Sequence, residues 1–444
     1  MNAPDSASSL ASPHRSARRW WQSIGPGLVT ACVVIGPGSI ITSSKVGAAD
    51  GFSKTWVVVA AVLFMLAYVQ MAAKLGAVTG RSTLDLVTER AGRWLAVLIG
   101  VSVFLIASMY QFGNNLGVQT ALEEVAGMVR TALGKTPPPE TSAQQGGSFP
   151  IWIVVLNILA LLFVFGWHNL YAALEKLMMV LVAIMLGSFA INLSFAQPDR
   201  ATILRELPPW TGSSEFSLAL LGLVGTTFVI PAAFYQSYLV RFKGWTVRDL
   251  DSGLVDARVS ALLMCGITLM IMFTAASVLR GKELETAADV ANQLQPLFGE
   301  SGKLIFCLGL FAAAFSSFIV NSMIGGFLLA DSLGLGGTPR DRVPRILTAA
   351  VLLTGMGIAI YILMRTGVPP VFAIVAAQAA TVLAAPLLAG TLLWLTNLES
   401  VMGEHRNGPV LNAVGIVGFL TLIGVAANIL INQLRPKFQE LLAG

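Results

Sequence analysis

The sequence predicts an all-α polytopic membrane protein of eleven transmembrane helices, five plus five in inverted repeats, with one helix added. Three observations predict it. The 444 residues are 55% hydrophobic and only 11% charged, against about 25% charged in an ordinary soluble domain, and the mean hydropathy is +0.75. Apolar runs of the roughly 20 residues that a bilayer core requires recur along the whole chain. Two of those runs, five apart, are interrupted in the middle by proline and glycine.

The spans are expected at roughly 26–48, 55–75, 94–118, 149–166, 170–194, 216–240, 257–279, 303–330, 345–364, 369–396 and 409–432. Residues 1–24, rich in Ser, Ala and Arg, read as a disordered cytoplasmic tail ending in the interfacial pair Trp20 and Trp21. An organellar transit segment is the other reading of that composition. Residues 25–434 form the transport domain. The first repeat covers about 25–195, the second about 215–397, and the extra helix about 409–432. The loop 119–148, with Pro137, Pro138 and Pro139, reads as exposed linker. The segments 80–93 and 241–258 read as short amphipathic pieces.

Lys and Arg cluster at alternate span ends: Arg81, Arg90 and Arg93, then Arg241, Lys243 and Arg248, then Arg340, Arg342 and Arg345. The positive-inside rule places those ends, and the N-terminus, in the cytoplasm. An odd number of spans then puts the C-terminus outside. The net charge of +5 is spread over short loops and calls for no nucleic-acid partner. Membrane lipid and a small solute or ion are the expected partners.

The first interrupted run holds Gly36-Pro37-Gly38-Ser39. Pro37 has no N–H and its flanking glycines weaken the helix further. In lipid, broken backbone is tolerated only where protein buries it or it lines a cavity. The second run, 216–240, breaks at Pro231 and Ala232 after Gly225, Thr226 and Thr227. Matching interruptions in two halves point to a carrier whose site is built from half-helix ends. A pair of proline kinks with packing glycines is the plainer alternative.

The residues expected to line that site are Gly36, Ser39, Thr227, Ile230, Tyr110, Asn114 and Gln378. Gln111, Asn115 and the span-eight group Ser316, Ser317, Asn321 and Ser322 lie at the same depth. Helix–helix hydrogen bonding is the alternative role for all of these. Ionisable residues inside spans are rare and each counts. Lys45 stands near the outer end of span one, reaching a vestibule or the interface. Glu175 and Lys176 open span five, adjacent and so differently directed, as candidates for a gate or coupling network. Asp331 ends span eight in a loop network.

Cys32, Cys265 and Cys307 sit in apolar runs as small buried hydrophobes. His14, His168 and His405 are the three histidines, none in a predicted span, and no GxxxxGK loop is present. Enzymatic chemistry, a cofactor and ATP-driven transport are not indicated.

Several stretches resemble the Nramp family of proton-coupled divalent-metal transporters: LAYVQMAAKLGAVTGRSTLDLVTER at 66–90, Glu175-Lys176, and AQAATVLAAPLLAG with LTNLESVMGEHRN at 395–407. The resemblance runs from about Gly25 to Asn432 and implies the LeuT fold and alternating access. It also marks a departure. Where the family carries Asp-Pro-Gly-Asn, this chain has Gly36-Pro37-Gly38-Ser39. Where the family carries Met-Pro-His, it has Ile230-Pro231-Ala232. The family's acidic stretch in span three is the neutral SMYQFGNNLG. By the resemblance, Gly36 and Ser39 stand at ligand positions, Thr227 offers a carbonyl and Ile230 replaces a thioether. The expected function is therefore an Nramp-like secondary transporter working by alternating access, with a remodelled neutral site that does not bind Mn or Fe in the family manner. Transport of a small polar or anionic solute or of Mg2+, and a non-transporting membrane sensor, are the alternatives, and no metal site is assigned.

Overall fold

Proline and glycine set the first two elements. Helix α1 (Pro26–Val34) stops where Ile35 and Gly36 leave helical geometry. Helix α2 (Pro37–Asp50) starts with Pro37 in its first turn, where a missing N–H costs nothing. Its first hydrogen bond runs from Ile40 N–H to the Gly36 carbonyl at 3.1 Å. The two axes meet at 57°. The structure, a computed structural model, describes residues 26–134, 150–166, 170–208, 216–282, 284, 287–365 and 370–434. The expected N-terminal tail, with Trp20 and Trp21, and His168 lie outside the described residues.

Helix α3 (Thr55–Thr79) closes on Gly80 in the left-handed region, φ 59°. The short α4 (Thr83–Ala91) is capped by Ser82, whose hydroxyl accepts the Asp85 N–H at 3.0 Å. Arg81 donates to Glu89 at 2.6 Å and holds that carboxyl below its usual range. Helix α5 (Arg93–Ala132) corrects two expectations. Span three was expected to end at 118, with an exposed linker following. Instead the helix continues to Ala132, because ALEEVAGMVRTA is made mostly of good helix formers. Hydropathy measures where a helix leaves lipid, not where it ends.

Helix α6 (Ile151–Gly166), α7 (Leu170–Ala196) and the short α8 (Arg200–Glu206) follow. The second interrupted span is α9 (Leu218–Thr227) and α10 (Ile230–Phe242). Phe228 and Val229 between them are non-helical, and the Ile230 N–H turns back to the Phe228 carbonyl at 3.1 Å. Then come α11 (Leu250–Val278), α12 (Ala287–Ser332) with a kink at Gly299, and α13 (Arg342–Arg365). Helix α14 (Pro370–Thr381) passes through a 3-10 turn at 382–384 into α15 (Ala385–Asn397). Helices α16 (Glu399–Met402) and α17 (Pro409–Asn428), the latter running into a π-helical stretch at Ile429–Leu434, complete the described chain.

Among the described residues, nine helices are long and apolar enough to cross a membrane, and the bent α1–α2 pair makes a tenth. The apolar α6, at 16 residues, occupies the place of the fourth expected span. This is an integral membrane protein. Both interrupted spans lie deep in the bundle: every residue from 27 to 44 is buried and 89% of the apolar window of α9–α10 is buried, whereas α13 buries only 28% of its own. Leu63, Leu105, Leu262 and Val410 face outward, as lipid contact requires. Helices α5 and α12 approach closely at small residues, with Gly100 against Ser332 and Gly325 against Ala107.

Both ends of the bundle are bridged. At the end carrying α4, Asp331 accepts hydrogen bonds from Ser82 and, at 2.5 Å, from Tyr238. Thr83 and Ser237 bond at 2.6 Å, and Arg241 donates to the Gly80 carbonyl at 3.1 Å. Asp331 was expected in a loop network; it is instead a buried junction of α4, α10 and α12. At the opposite end, Glu206 accepts from Phe52 N–H at 3.2 Å and pairs with Arg280 at 2.7 Å. Lys303 pairs there with Glu124 at 2.6 Å.

Candidate functional site

The site is assembled where the two breaks meet α5, α12 and α14. Gly36 adopts φ −117°, ψ 179°. A Cβ there would stand 2.8 Å from Ser317 Oγ on α12 and 3.2 Å from Asn114 Oδ1 on α5. At Gly38, a Cβ would overlap the amide nitrogen of Gln378 and lie 2.6 Å from its Cδ. The Gln378 side chain thus lies flat across the start of α2. Its amide nitrogen is also 3.2 Å from the Cβ position of Gly113 on α5. Pro37 packs against Gly117 so closely that no side chain fits there.

The second break is held by Tyr110. Its hydroxyl donates to the Gly225 carbonyl at 2.9 Å and lies 3.3 Å from Thr381 Oγ1. The two spans touch through Thr42 and Thr226, whose hydroxyls are 3.3 Å apart. The Gln378 carbonyl approaches Gly225 to 2.8 Å of its Cβ position, so α14 rests on both breaks.

The structure therefore brings Gly36, Pro37, Gly38, Asn114, Tyr110 and Gln378 into one cluster. Ser39 and Thr227 lie within a turn of the two breaks, both buried, and their hydroxyls have no hydrogen-bond partner; nor does Gln378 Oε1. Ile230 and Ala232 are buried at the start of α10, with Pro231 between them. Lys45 is half-buried on α2. Glu175 pairs with Lys243 at 2.7 Å, tying α7 to the end of α10, while Lys176 is exposed. These last three stand apart from the cluster.

Sequence reasoning missed two groups. One is Ser317 as a junction. Its hydroxyl donates to the Val33 carbonyl at 3.3 Å, and it accepts from Asn114 at 3.3 Å and Asn321 at 2.8 Å. The other is Asp256, 1% exposed, whose carboxylate accepts the Gly27 N–H at the start of α1 at 2.7 Å. It sits one residue before the expected start of span seven. Counting every acid within a turn of an apolar window would have found it.

Chemically, the cluster offers amides, hydroxyls, one phenol and the ends of four half-helices. Among the described residues, no three His, Cys, Asp or Glu side chains gather as a metal would require.

Two broken spans meeting inside an all-helical bundle, with neutral polar side chains around them, define a membrane carrier of the LeuT fold. The sequence profile described as natural resistance-associated macrophage protein-like matches residues 27–432. The chain belongs to the Nramp family. A divalent metal cation transporter MntH of Deinococcus radiodurans is 23% identical over 423 residues, covering 93% of this chain and 90% of the relative. The crystal structure of an Eremococcus coleocola manganese transporter superposes with a TM-score of 0.74 at 17% identity, covering 96% of this chain and 92% of that one. The structure of MhsT with L-phenylalanine superposes at 0.59 and 16% identity, covering 90% of this chain and 98% of that one. Membership of this family makes the chain a transporter by homology.

Proposed function

We propose that this Nramp-family carrier moves a small polar or anionic solute by alternating access, through a neutral site, instead of Mn2+ or Fe2+ in the manner of its relatives. One observation carries the reading: the side chains at the two breaks, Gly36, Ser39, Thr227, Ile230 and Ala232, include no acid, imidazole or thioether. A divalent ion at the bundle centre must shed water, and burying its charge without compensation is very costly. Mn2+ and Fe2+ take carboxylate or imidazole, and Mg2+ takes one or two carboxylates with retained waters.

A neutral or anionic solute meets suitable chemistry here. The first N–H groups of α2 have no intrahelical acceptor, whereas those of α10 turn back to the Phe228 and Val229 carbonyls; the positive ends of both half-helices favour negative charge. Ser39 and Thr227 add unengaged hydroxyls. Alternating access then requires the bridges at the two ends of the bundle to open in turn, Asp331 with Tyr238 at one and Glu206 with Arg280 at the other. Arg81, Arg90 and Arg241 lie on or beside the α4 end, which supports a cytoplasmic assignment for that end in a bacterial inner membrane.

The test is uptake into proteoliposomes of a panel of small carboxylic acids, neutral amides and Mn2+. Saturable uptake of a non-metal solute, insensitive to chelator and weakened about tenfold by Ser39→Ala, is expected; the loss of one hydrogen bond corresponds to about 1 kcal/mol or somewhat more. Saturable Mn2+ uptake abolished by chelator overturns the reading. Unchanged uptake in Ser39→Ala removes Ser39 from the site.

A further inference from the structure

We propose that Ser317 is the residue that closes this site to dehydrated cations. The inference rests on the neutral-site reading above and identifies the side chain that enforces it.

Gly36 stands at the first break, beside Ser317. Its backbone, φ −117° and ψ 179°, is one that any residue adopts. Glycine is therefore there for room and not for conformation. The room is taken by Ser317, whose Oγ and Cβ lie 2.8 Å and 3.2 Å from where a Cβ on residue 36 would stand. A carboxylate on residue 36 would be the charge that a desolvated cation needs between the two breaks. Ser317 occupies its root.

Ser317 also engages the backbone that a cation would use. A broken helix leaves carbonyls without intrahelical donors, and these are ordinary ligands for hard cations. The Ser317 hydroxyl gives its proton to one of them, Val33, at 3.3 Å. Its lone pairs are taken by the amides of Asn114 at 3.3 Å and Asn321 at 2.8 Å. The Asn114 amide in turn donates to Gln111 Oε1 at 3.0 Å, and Gln111 donates to the Phe318 carbonyl one residue beyond Ser317. The hydroxyl is thus the common point of a neutral network joining spans one, three and eight. Every member is buried. To reach the Val33 carbonyl a cation would have to displace the Ser317 hydroxyl, which the two asparagine amides also hold in place. A side chain added at residue 36 would have to do the same.

Ser317 therefore acts as a specificity-determining residue by exclusion. Removing it frees both the Val33 carbonyl and the space beside Gly36. Restoring an acid without removing it does neither.

The experiment compares purified wild type, Gly36→Asp, Ser317→Gly and the double variant Gly36→Asp/Ser317→Gly. Mn2+ is the probe, and binding is measured directly by equilibrium dialysis with and without chelator. Size-exclusion chromatography verifies folding. The expected result is no saturable binding to wild type and none to Gly36→Asp. The double variant binds Mn2+ saturably, holding at least tenfold more metal than Gly36→Asp at the same free Mn2+, reversibly with chelator. Equal binding by Gly36→Asp and the double variant overturns the assignment, because the acid then needs no help from position 317. A folded double variant that binds no better than Gly36→Asp overturns it as well. Where Ser317→Gly does not fold, Ser317→Ala replaces it. A folded Gly36→Asp/Ser317→Ala that binds Mn2+ no better than Gly36→Asp overturns the proposal in the same way. Tight Mn2+ binding by wild type is a separate result: it removes the neutral-site reading itself.

Discussion

Gly117→Leu is expected to abolish uptake and to destabilise the protein by more than any single change at the site's polar residues. Gly117 faces the ring of Pro37 across the α5–α2 contact, and a Cβ alone would already overlap Pro37 Cβ and Cγ. Helix α5 cannot yield easily, because within two turns it also carries Tyr110, Gln111 and Asn114, each bonded to another element or to its neighbour. Overpacking a well-filled core costs about 1–3 kcal/mol, and more where both partners are backbone-fixed. A leucine adds several methylenes to a position that lacks room for one. The alanine variant separates stability from function: it is expected to fold with a lowered melting temperature and to lose most uptake, because Pro37 and the start of α2 are displaced. Wild-type uptake by Gly117→Ala would show that the position of Pro37 does not matter to transport.

The second large effect is expected at the α4 end. Ser82→Ala combined with Tyr238→Phe strips both hydroxyl donors from Asp331. A hydrogen bond to a charged group contributes about 1.5–3 kcal/mol, and a buried carboxylate left without donors costs the full desolvation of the group. The double variant is expected to lose about 3 kcal/mol or more in thermal or denaturant stability, the sum of two such bonds. Adding Asp331→Asn should recover part of that loss, because an amide carries no charge to desolvate. The rescue distinguishes a stranded charge from lost packing. The two hydroxyls also tie α4 and α10 to α12, so the double variant should open the α4 end more readily. A cysteine placed at Thr30, in a background lacking Cys32, Cys265 and Cys307, should then react faster with a thiol reagent supplied from that side. Stability and labelling equal to wild type would remove Asp331 from any part in closing that end.

Much of this architecture was legible because the covalent signals are strong. Pro37 and Pro231 mark the two interruptions, and their five-span separation gave the two halves, but the structure corrects their place. Pro37, Gly38, Pro231 and Ala232 stand in the first turns of α2 and α10, where proline is tolerated. The breaks are Ile35–Gly36 and Phe228–Val229, just before them. Apolar runs gave the spans, and the Nramp resemblance gave the site's departure from acid and imidazole. What stayed hidden depends on which neighbour a residue meets. Ser317 reads as one hydroxyl among several on an apolar helix; nothing in FAAAFSSFIVNS says that it, and not Ser316, faces Gly36. Ser316 in fact bonds back to its own helix at Ala313. The glycines Gly113, Gly117 and Gly225 read as helix-packing residues, and only the fold shows that they seat Gln378 and Pro37 against the breaks. Helix α5 ran past its expected end because helix propensity outlasts hydropathy. Asp256 lay one residue outside an apolar window, yet the fold buries it against the first turn of α1.

The central proposal is that the neutral cluster at the two breaks holds no divalent cation. It is tested most directly by the melting temperature of the purified protein against Mn2+, Mg2+, Ca2+ and a panel of small anionic and neutral solutes. A ligand at 100 times its Kd stabilises by about 2.7 kcal/mol, which is readily measured. The predicted result is a saturable shift with a non-metal solute, reduced in Ser39→Ala, and none with the three cations. A shift with Mn2+ or Mg2+ that chelator reverses and Ser39→Ala weakens would contradict it.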